Sequence, residues 1–299
     1  MKTLKALTLS LGNINAPVIT SYQLGRIIYY LFSTKIYNGE PLNLSKKLAE
    51  THDYNKYLRN LLQDGILNNS RTLPRGVYSL LGRELENPSE IICTINPFCY
   101  VSHLSAMAHH GLTDRIPAKL FISSPNTKDW KAFAAEKMKK DLGDDYESYL
   151  ESGLPRLTRQ EVTRIRKTEI ECINSKHLGA YKNIKGKTTK VSTIGRTFLD
   201  MLRNPDLCGG INHVLSVFDE YGQTYLRLIT DEIDRNGKQI DKVRAGYILD
   251  ERMNCSNEIV ESWVKFAQRG GSRKLDASTE YIPTWSDKWL LSINVFEKK

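Results

Sequence analysis

The stretch DYNKYLRNLLQDG, residues 53–65, places Tyr54, Tyr57, Leu58, Leu61 and Leu62 at helical spacing, with Asn55, Lys56, Arg59, Asn60 and Gln63 between them. At about 100° per residue the five apolar side chains fall within roughly 140° of arc, and the amides and bases take the opposite arc. Those residue types suit one kind of chemistry. A guanidinium pairs with guanine through two parallel hydrogen bonds, a carboxamide pairs with adenine in the same way, and an ammonium meets phosphate. Asp64, at the edge, is the only acid near this face. A polar helix face is usually just solvated, so a recognition role requires elements around it that would present it to DNA.

The flanking sequence predicts such elements. SYQLGRIIYYLF carries an apolar stripe (Leu24, Ile27, Ile28, Leu31, Phe32) and reads as a helix that Thr20 or Ser21 can cap. LSKKLAE, residues 44–50, reads as a short second helix whose Lys46 and Lys47 would contact the DNA backbone. Asp53 can cap the third helix, and Gly65 is suited to end it. Residues 66–73 and 77–81 read as two strands around a Pro74-Arg75-Gly76 turn, with Arg71 and Arg75 at the tip to reach phosphate or the adjacent minor groove. Three helices and a hairpin predict a winged helix-turn-helix over residues 1–85.

The charge distribution favours the same partner. The 299-residue chain has net charge +9. Residues 1–85 hold 11 Lys and Arg against 5 Asp and Glu, and residues 162–198 hold 9 against 2. Each basic block can attract a phosphate backbone or an acidic partner, where the plain alternative is a solvated basic surface. The second block, with RIRKTEIECINSKHLGAYKNIKGKTTK at residues 164–190, offers Lys182, Lys185, Lys187 and Lys190, and Arg196 just beyond that stretch, as a secondary DNA or partner surface. Hydrophobic content of 40% and charged content of 26% are ordinary for a globular protein. No apolar run approaches the roughly 20 residues of a membrane span. The N-terminal MKTLKALTLSLGNIN is a poor signal peptide, since Lys5 interrupts a short apolar run, so the expected location is cytoplasmic. Five cysteines without CxxC spacing argue against a disulfide framework or a zinc site.

Residues 86–299 read as a larger mixed α/β C-terminal domain, giving an α+β chain of two domains. ENPSE, residues 86–90, reads as a linker, IICTI as a strand, YVSHLSAMAHHGL as a helix ending at Gly111, and AKLFISS as a strand. Residues 126–161 are highly charged and helical, broken near Gly143, and read as an excursion from the second core. RIRKTEIECI suggests a strand, with more β structure up to VSTI. Helical patterns follow in GRTFLDMLRN, GINHVLSVFDEYG, QTYLRLITDEIDRNG, QIDKVRAGYILDERMN and EIVESWVKFAQ.

Several of these pieces resemble one family. YVSHLSAMAHHGL followed by AKLFISS looks like the start of the second domain of AbiEi-family antitoxins. VSTIGRTFLDMLRNPDLCGGINHVL resembles that family's central signature, and RAGYILDE its later glycine-then-apolar segment. LLQDGILNNSRTLPRGVYSL is similar to its winged helix and wing strand. The resemblance covers most of residues 20–255. It implies the antitoxin of a type IV toxin–antitoxin pair linked to abortive infection and phage defence. The functional partner would be a nucleotidyltransferase-like toxin, opposed without a stable complex. The winged helix would repress its own operon at inverted repeats in promoter DNA. By position, the resemblance makes Asn55, Lys56, Arg59, Asn60, Arg71 and Arg75 the DNA contacts. Arg196 and Asp200 match the central signature, as a structural ion pair or helix cap before a functional surface.

Catalysis needs a constellation of groups, and none is expected. His103, His109 and His110 share a helix, with His103 and His110 on one side, but lack HExxH spacing or a nearby acid. Gly209-Gly210 opens a helix that could hold an anion. Glu169 and Glu171 could suggest a nuclease pair, but no lysine follows at close alternating spacing. The expectation is a non-enzyme without cofactor or metal. A winged-helix regulator with a ligand- or protein-binding second domain and no toxin link is the alternative, and a tethered nuclease is the third reading.

Overall fold

The computed structural model describes residues 1–176, 180–270 and 273–295 of the chain. Helix α1 (Thr3–Gly12) precedes the first helix expected from the pattern. Thr3, Ala6, Leu7 and Leu11 are buried at spacings of three and four, and Lys5 is exposed. Strand β1 (Val18–Thr20) leads into α2 (Ser21–Thr34). Thr20 caps α2 reciprocally: the Thr20 hydroxyl accepts from the Gln23 amide at 3.3 Å, and the Gln23 side chain accepts from the Thr20 amide at 2.9 Å. A two-strand ribbon, β2 (Ile36–Tyr37) and β3 (Glu40–Pro41), follows. Residues 44–50, expected as a helix, are irregular. Seven residues nucleate a helix poorly without a face to bury, and here only Ala49 is buried while Lys46, Lys47 and Leu48 are exposed. Helix α3 (Thr51–Gln63) and the pair β4 (Leu67–Asn68) and β5 (Val77–Leu80) complete this part, and β1, β5 and β4 form a three-stranded antiparallel sheet in that order.

Two expectations for the next stretch are overturned. Residues 86–90 are no linker, because Asn87 accepts from the Ser89 amide at 3.0 Å and Pro88 opens helix α4 (Pro88–Ile95). IICTI belongs to this helix and is not a strand. All five residues from Ile91 to Ile95 are buried, so no exposed side reveals the period. The chain continues through β6 (Tyr100–Val101), α5 (His103–His109), β7 (Lys119–Ser124), α6 (Thr127–Leu142) and α7 (Tyr146–Glu151). Then come β8 (Arg164–Ile165), β9 (Thr168–Asn174), β10 (Tyr181–Asn183), β11 (Lys190–Ser192), α8 (Ile194–Arg203), α9 (Ile211–Tyr221), α10 (Leu226–Asn236), α11 (Gln239–Gly246) and α12 (Glu258–Ser262). The last strands are β12 (Trp285–Ser286) and β13 (Leu291–Ser292). The architecture is mixed α/β. Its six-stranded sheet has the order β10-β11-β6-β7-β9-β8, with β11 parallel to β6 and β8 antiparallel to β9.

The chain divides into two compact units. The first comprises residues 1–100, 123–176 and 183–190. Its core joins Leu7, Ile19, Leu24, Ile28, Leu61 and Leu67 to Met138, Tyr149 and Leu154. The charged segment 126–161 is therefore part of this core and not an excursion from the other. Its high charge hid the apolar stripe that docks it, since Trp130, Ala134 and Met138 line one side of α6.

The second unit holds the described residues of 101–122, 177–182 and 191–299. Phe198 and Phe218 meet edge to face in its core with centroids 4.9 Å apart. α8 runs so close to α10 that a Cβ on Gly195 would lie 2.2 Å from the Leu228 carbonyl oxygen. Past α11 the helix widens into a π-turn (Tyr247–Arg252), whose acids hold the C-terminal tail. Asp250 accepts from the Trp289 indole at 3.0 Å, and Glu251 accepts from the Ser286 hydroxyl at 2.6 Å. Among the described residues no helix is long and apolar enough to cross a membrane.

Candidate nucleic-acid interface

Helix α3 is held from three sides within the first unit. Its inner face buries Tyr54, Tyr57 and Leu61, and Tyr57 meets Phe32 of α2 edge to face at 6.1 Å. The Glu50 backbone amide, at its start, donates to the Asp53 carboxylate at 3.1 Å. The Thr51 hydroxyl donates to the Gly153 carbonyl at 3.0 Å, which ties the first turn to the segment after α7. At the far end Gly65 takes φ +68°, a left-handed conformation that lets the chain turn back into β4.

The outer face of α3 presents Asn55, Lys56, Arg59 and Gln63 to solvent, with Asn60 half-buried at its edge. Lys56 Nζ lies 5.9 Å from the Tyr57 ring centroid, a cation–π contact that leaves its head group at the surface. The β4–β5 hairpin carries Arg71 and Arg75, both exposed, in the loop between Leu67↔Leu80 pairing at one end and the start of α2 at the other. The loop is rigidly based. The Ser21 amide and hydroxyl both donate to the Gly76 carbonyl, at 2.7 and 3.0 Å. Gly76 has φ +80°, and a Cβ there would lie 2.8 Å from the Ser21 hydroxyl oxygen.

Lys46 and Lys47 are exposed on the irregular segment before α3. Lys46 Nζ is engaged with the first turn of that helix, 3.2 Å from Glu50 and 3.5 Å from Asp53. The hydrogen bond to Glu50, then the charge of Asp53, holds its pKa above the ordinary lysine value. A phosphate would have to compete with these two carboxylates.

The residues of the second basic block are split by burial. Lys182, Lys185 and Lys187 are exposed, and Lys187 lies 3.4 Å from Glu90. Lys190 is 9% exposed, with Nζ donating to the Pro97 carbonyl, and the side chain of Arg196 pairs through Nε with Asp200 at 2.9 Å at 4% exposure. Lys190 and Arg196 are therefore no part of an exposed surface. Positive charge in the sequence did not distinguish a lysine that closes a backbone carbonyl from one that meets solvent.

The three histidines do not converge. His103 is buried with φ +50°, its Nδ1 2.8 Å from the Ser102 hydroxyl and its Nε2 3.3 Å from the Asn204 amide. Burial lowers its pKa, with Asp200 acting in the opposite sense. His110 pairs through Nε2 with the Ser192 carbonyl at 2.7 Å, and His109 is exposed. Among the described residues no three His, Cys, Asp or Glu side chains gather as a metal ion would require. Glu169 is engaged across the β8–β9 pair by Arg164 at 3.0 Å. The sequence reading missed the anchors that fix α3 and the β4–β5 loop, Thr51 to Gly153 and Ser21 to Gly76, since serine and threonine near helix starts read only as local caps.

No family model and no curated protein matches the chain. Among solved structures it is similar to the crystal structure of the RV2827C protein from Mycobacterium tuberculosis, with a TM-score of 0.48 and 10% identity over 96% of this chain and 89% of that one.

Proposed function

We propose that residues 1–85 act as a winged helix-turn-helix that binds duplex promoter DNA, with α3 in the major groove and the β4–β5 loop as the wing. The observation that carries this reading is the outer face of α3. Asn55, Lys56, Arg59 and Gln63 are all exposed, on a helix whose opposite face is fixed by three buried side chains. The exposed Arg71 and Arg75 add two cations on the neighbouring hairpin. Side chains that read bases are useful only on a rigid support, because loose ones pay their ordering entropy on binding.

The resemblance to AbiEi-family antitoxins extends the proposal. The protein represses its own operon at inverted repeats and counteracts a nucleotidyltransferase-like toxin through its C-terminal part, residues 86–299, as a binding protein and not a catalyst. Exposed Lys182, Lys185 and Lys187 add nonspecific phosphate contacts in this reading, so charge reversal at all three should weaken operator binding and flatten its salt dependence.

A gel-shift titration on the DNA upstream of the gene tests the first half. Specific binding that exceeds binding to unrelated DNA of equal length, and is lost in Arg59→Ala, is the expected result. Equal affinity for both DNAs would sink it. Rescue of growth on co-expression with the neighbouring toxin gene tests the second half.

A further inference from the structure

The first unit contains a cleft of about 510 Å³ between α6, α7 and the extended segment that follows α7. That volume is within the roughly 300–1,000 Å³ of small-molecule sites. Its floor is apolar, made by Ala134 and Met138 of α6, Tyr146 and Leu150 of α7, and Leu157. Its rim carries three cations, Lys131, Arg156 and Arg159, against one carboxylate, Glu161. Arg159 is held in place by the Thr127 hydroxyl at 3.1 Å and the Asn174 amide oxygen at 3.4 Å. An apolar floor under a cationic rim selects an amphipathic anion over a neutral or cationic molecule.

The wall of this cleft is also the seat of the proposed DNA-reading helix. Between Leu150 and Leu157 the chain offers the Gly153 carbonyl to Thr51, the first residue of α3. Tyr149, fully buried on α7, donates to the Pro155 carbonyl at 2.7 Å and stands edge to face against Tyr22 and Tyr29 of α2. Its hydroxyl and Pro155 lie so close to Gly25 of α2 that an added Cβ would be 2.8 Å and 3.2 Å from them. The far end of α6 is tied to α2 as well, where Asp141 accepts from Tyr22 and from Arg26, each at 3.1 Å. An occupant that stiffens residues 146–157 therefore stiffens the start of α3 through direct contacts.

We propose that this cleft is an effector site for an organic anion with an apolar body, and that its occupancy is transmitted to α3 through Gly153 and Thr51. The consequence for operator affinity rests on the DNA-binding reading above, but the site and its link to α3 do not. 8-Anilinonaphthalene-1-sulfonate is a suitable probe for the 299-residue chain, with decanoate as competitor. Saturable fluorescence enhancement is expected, displaced by decanoate. Arg156→Glu should weaken it roughly tenfold. Ala135→Trp, which fills the cleft from an exposed position on its wall, should abolish it. Decanoate should slow amide exchange at residues 51–54 several-fold in the wild type and not in Ala135→Trp. Wild-type isotherms in both variants would overturn the site, and unchanged exchange on saturation would overturn the link. Slowed exchange in a protein that ignores its upstream DNA supports this proposal while refuting the DNA-binding one.

Discussion

Helices α3 and α8 both carry polar side chains four residues apart, Asn55, Arg59 and Gln63 on one and Arg196 and Asp200 on the other, and they use them in opposite ways. On α3 the set Asn55, Arg59 and Gln63 faces solvent together with Lys56. On α8 every residue from Gly195 to Leu202 is buried, because α5, α10 and α11 pack around it, and the Arg196–Asp200 pair is folded into that core. Charge pattern alone does not separate the two helices; what packs around each one does. A cation exposed on one side of a supported helix is available to a partner. A cation enclosed with its counter-ion is committed to the fold.

The largest expected effect follows from the enclosed pair. Removing one member leaves the other charge buried without compensation, which costs about 3–5 kcal/mol. Asp200→Ala should lose stability by that amount in urea unfolding, whereas Arg196→Met combined with Asp200→Leu should recover most of it, since an apolar pair of similar volume avoids desolvation altogether. If the single variant unfolds like the wild type, α8 is not closed around the pair and the contrast with α3 collapses.

Arg59→Ala should do the reverse. Its stability should stay within about 0.5 kcal/mol of the wild type, as for surface positions in general. Its operator affinity should fall by about 1–3 kcal/mol, or roughly 5- to 150-fold, on the DNA-binding reading. Thermal unfolding and gel shift on the same preparation read both numbers. A stability loss without an affinity loss would make Arg59 a structural residue and place it with Arg196.

Much of this was legible in the residues themselves. The 3.6-residue period of Tyr54, Tyr57 and Leu61 marked the inner face of α3, and Gly65 marked its end. α1 is legible too, in the three- and four-residue spacing of Thr3, Ala6, Leu7 and Leu11, although the same short apolar run resembles a targeting signal. Residues 91–95 were illegible for a physical reason: a segment buried on every side shows no period, and β-branched isoleucines then bias the reading towards a strand. Residues 44–50 misled in the other direction, with helix-favouring lysine, leucine and alanine in a stretch too short to pay for nucleation. The anchor of α3 lay beyond sequence reasoning, because Thr51 and Gly153 are 102 positions apart and neither residue type announces a partner.

The support beneath α3 gives a smaller effect. Asp53 accepts from the Glu50 amide and draws in Lys46. Asp53→Ala should cost about 1 kcal/mol, the usual worth of a helix-start hydrogen bond. On the DNA-binding reading, Lys46, then held by Glu50 alone, would partly offset this in operator binding. Unfolding and gel-shift midpoints should therefore move by different amounts. Equal losses in both would mean that Lys46 does not meet phosphate even with one of its two carboxylates removed.

The smallest effect separates the two helices by pH. His103 lies beside the α8 pair, and burial lowers its pKa, with the Asp200 charge opposing and the Arg196 charge reinforcing the shift. The folded state thus holds the neutral imidazole, while the unfolded chain takes up a proton as the pH falls below the ordinary histidine value of about 6.5. Below that value the unfolded state binds more protons, so stability is complete above it and declines as the pH drops towards the lowered folded value. His110 and His213 are lowered by burial as well, so the wild type should lose stability through this window by more than one group's share. His103→Asn keeps a residue type that tolerates the positive φ found here and removes one titrating group. The difference in unfolding free energy between pH 7.5 and pH 5.5 should shrink in this variant, by at most the contribution of a single proton. An undiminished difference would show that the decline comes from His110 and His213, and that the interior next to α8 admits a charged imidazole.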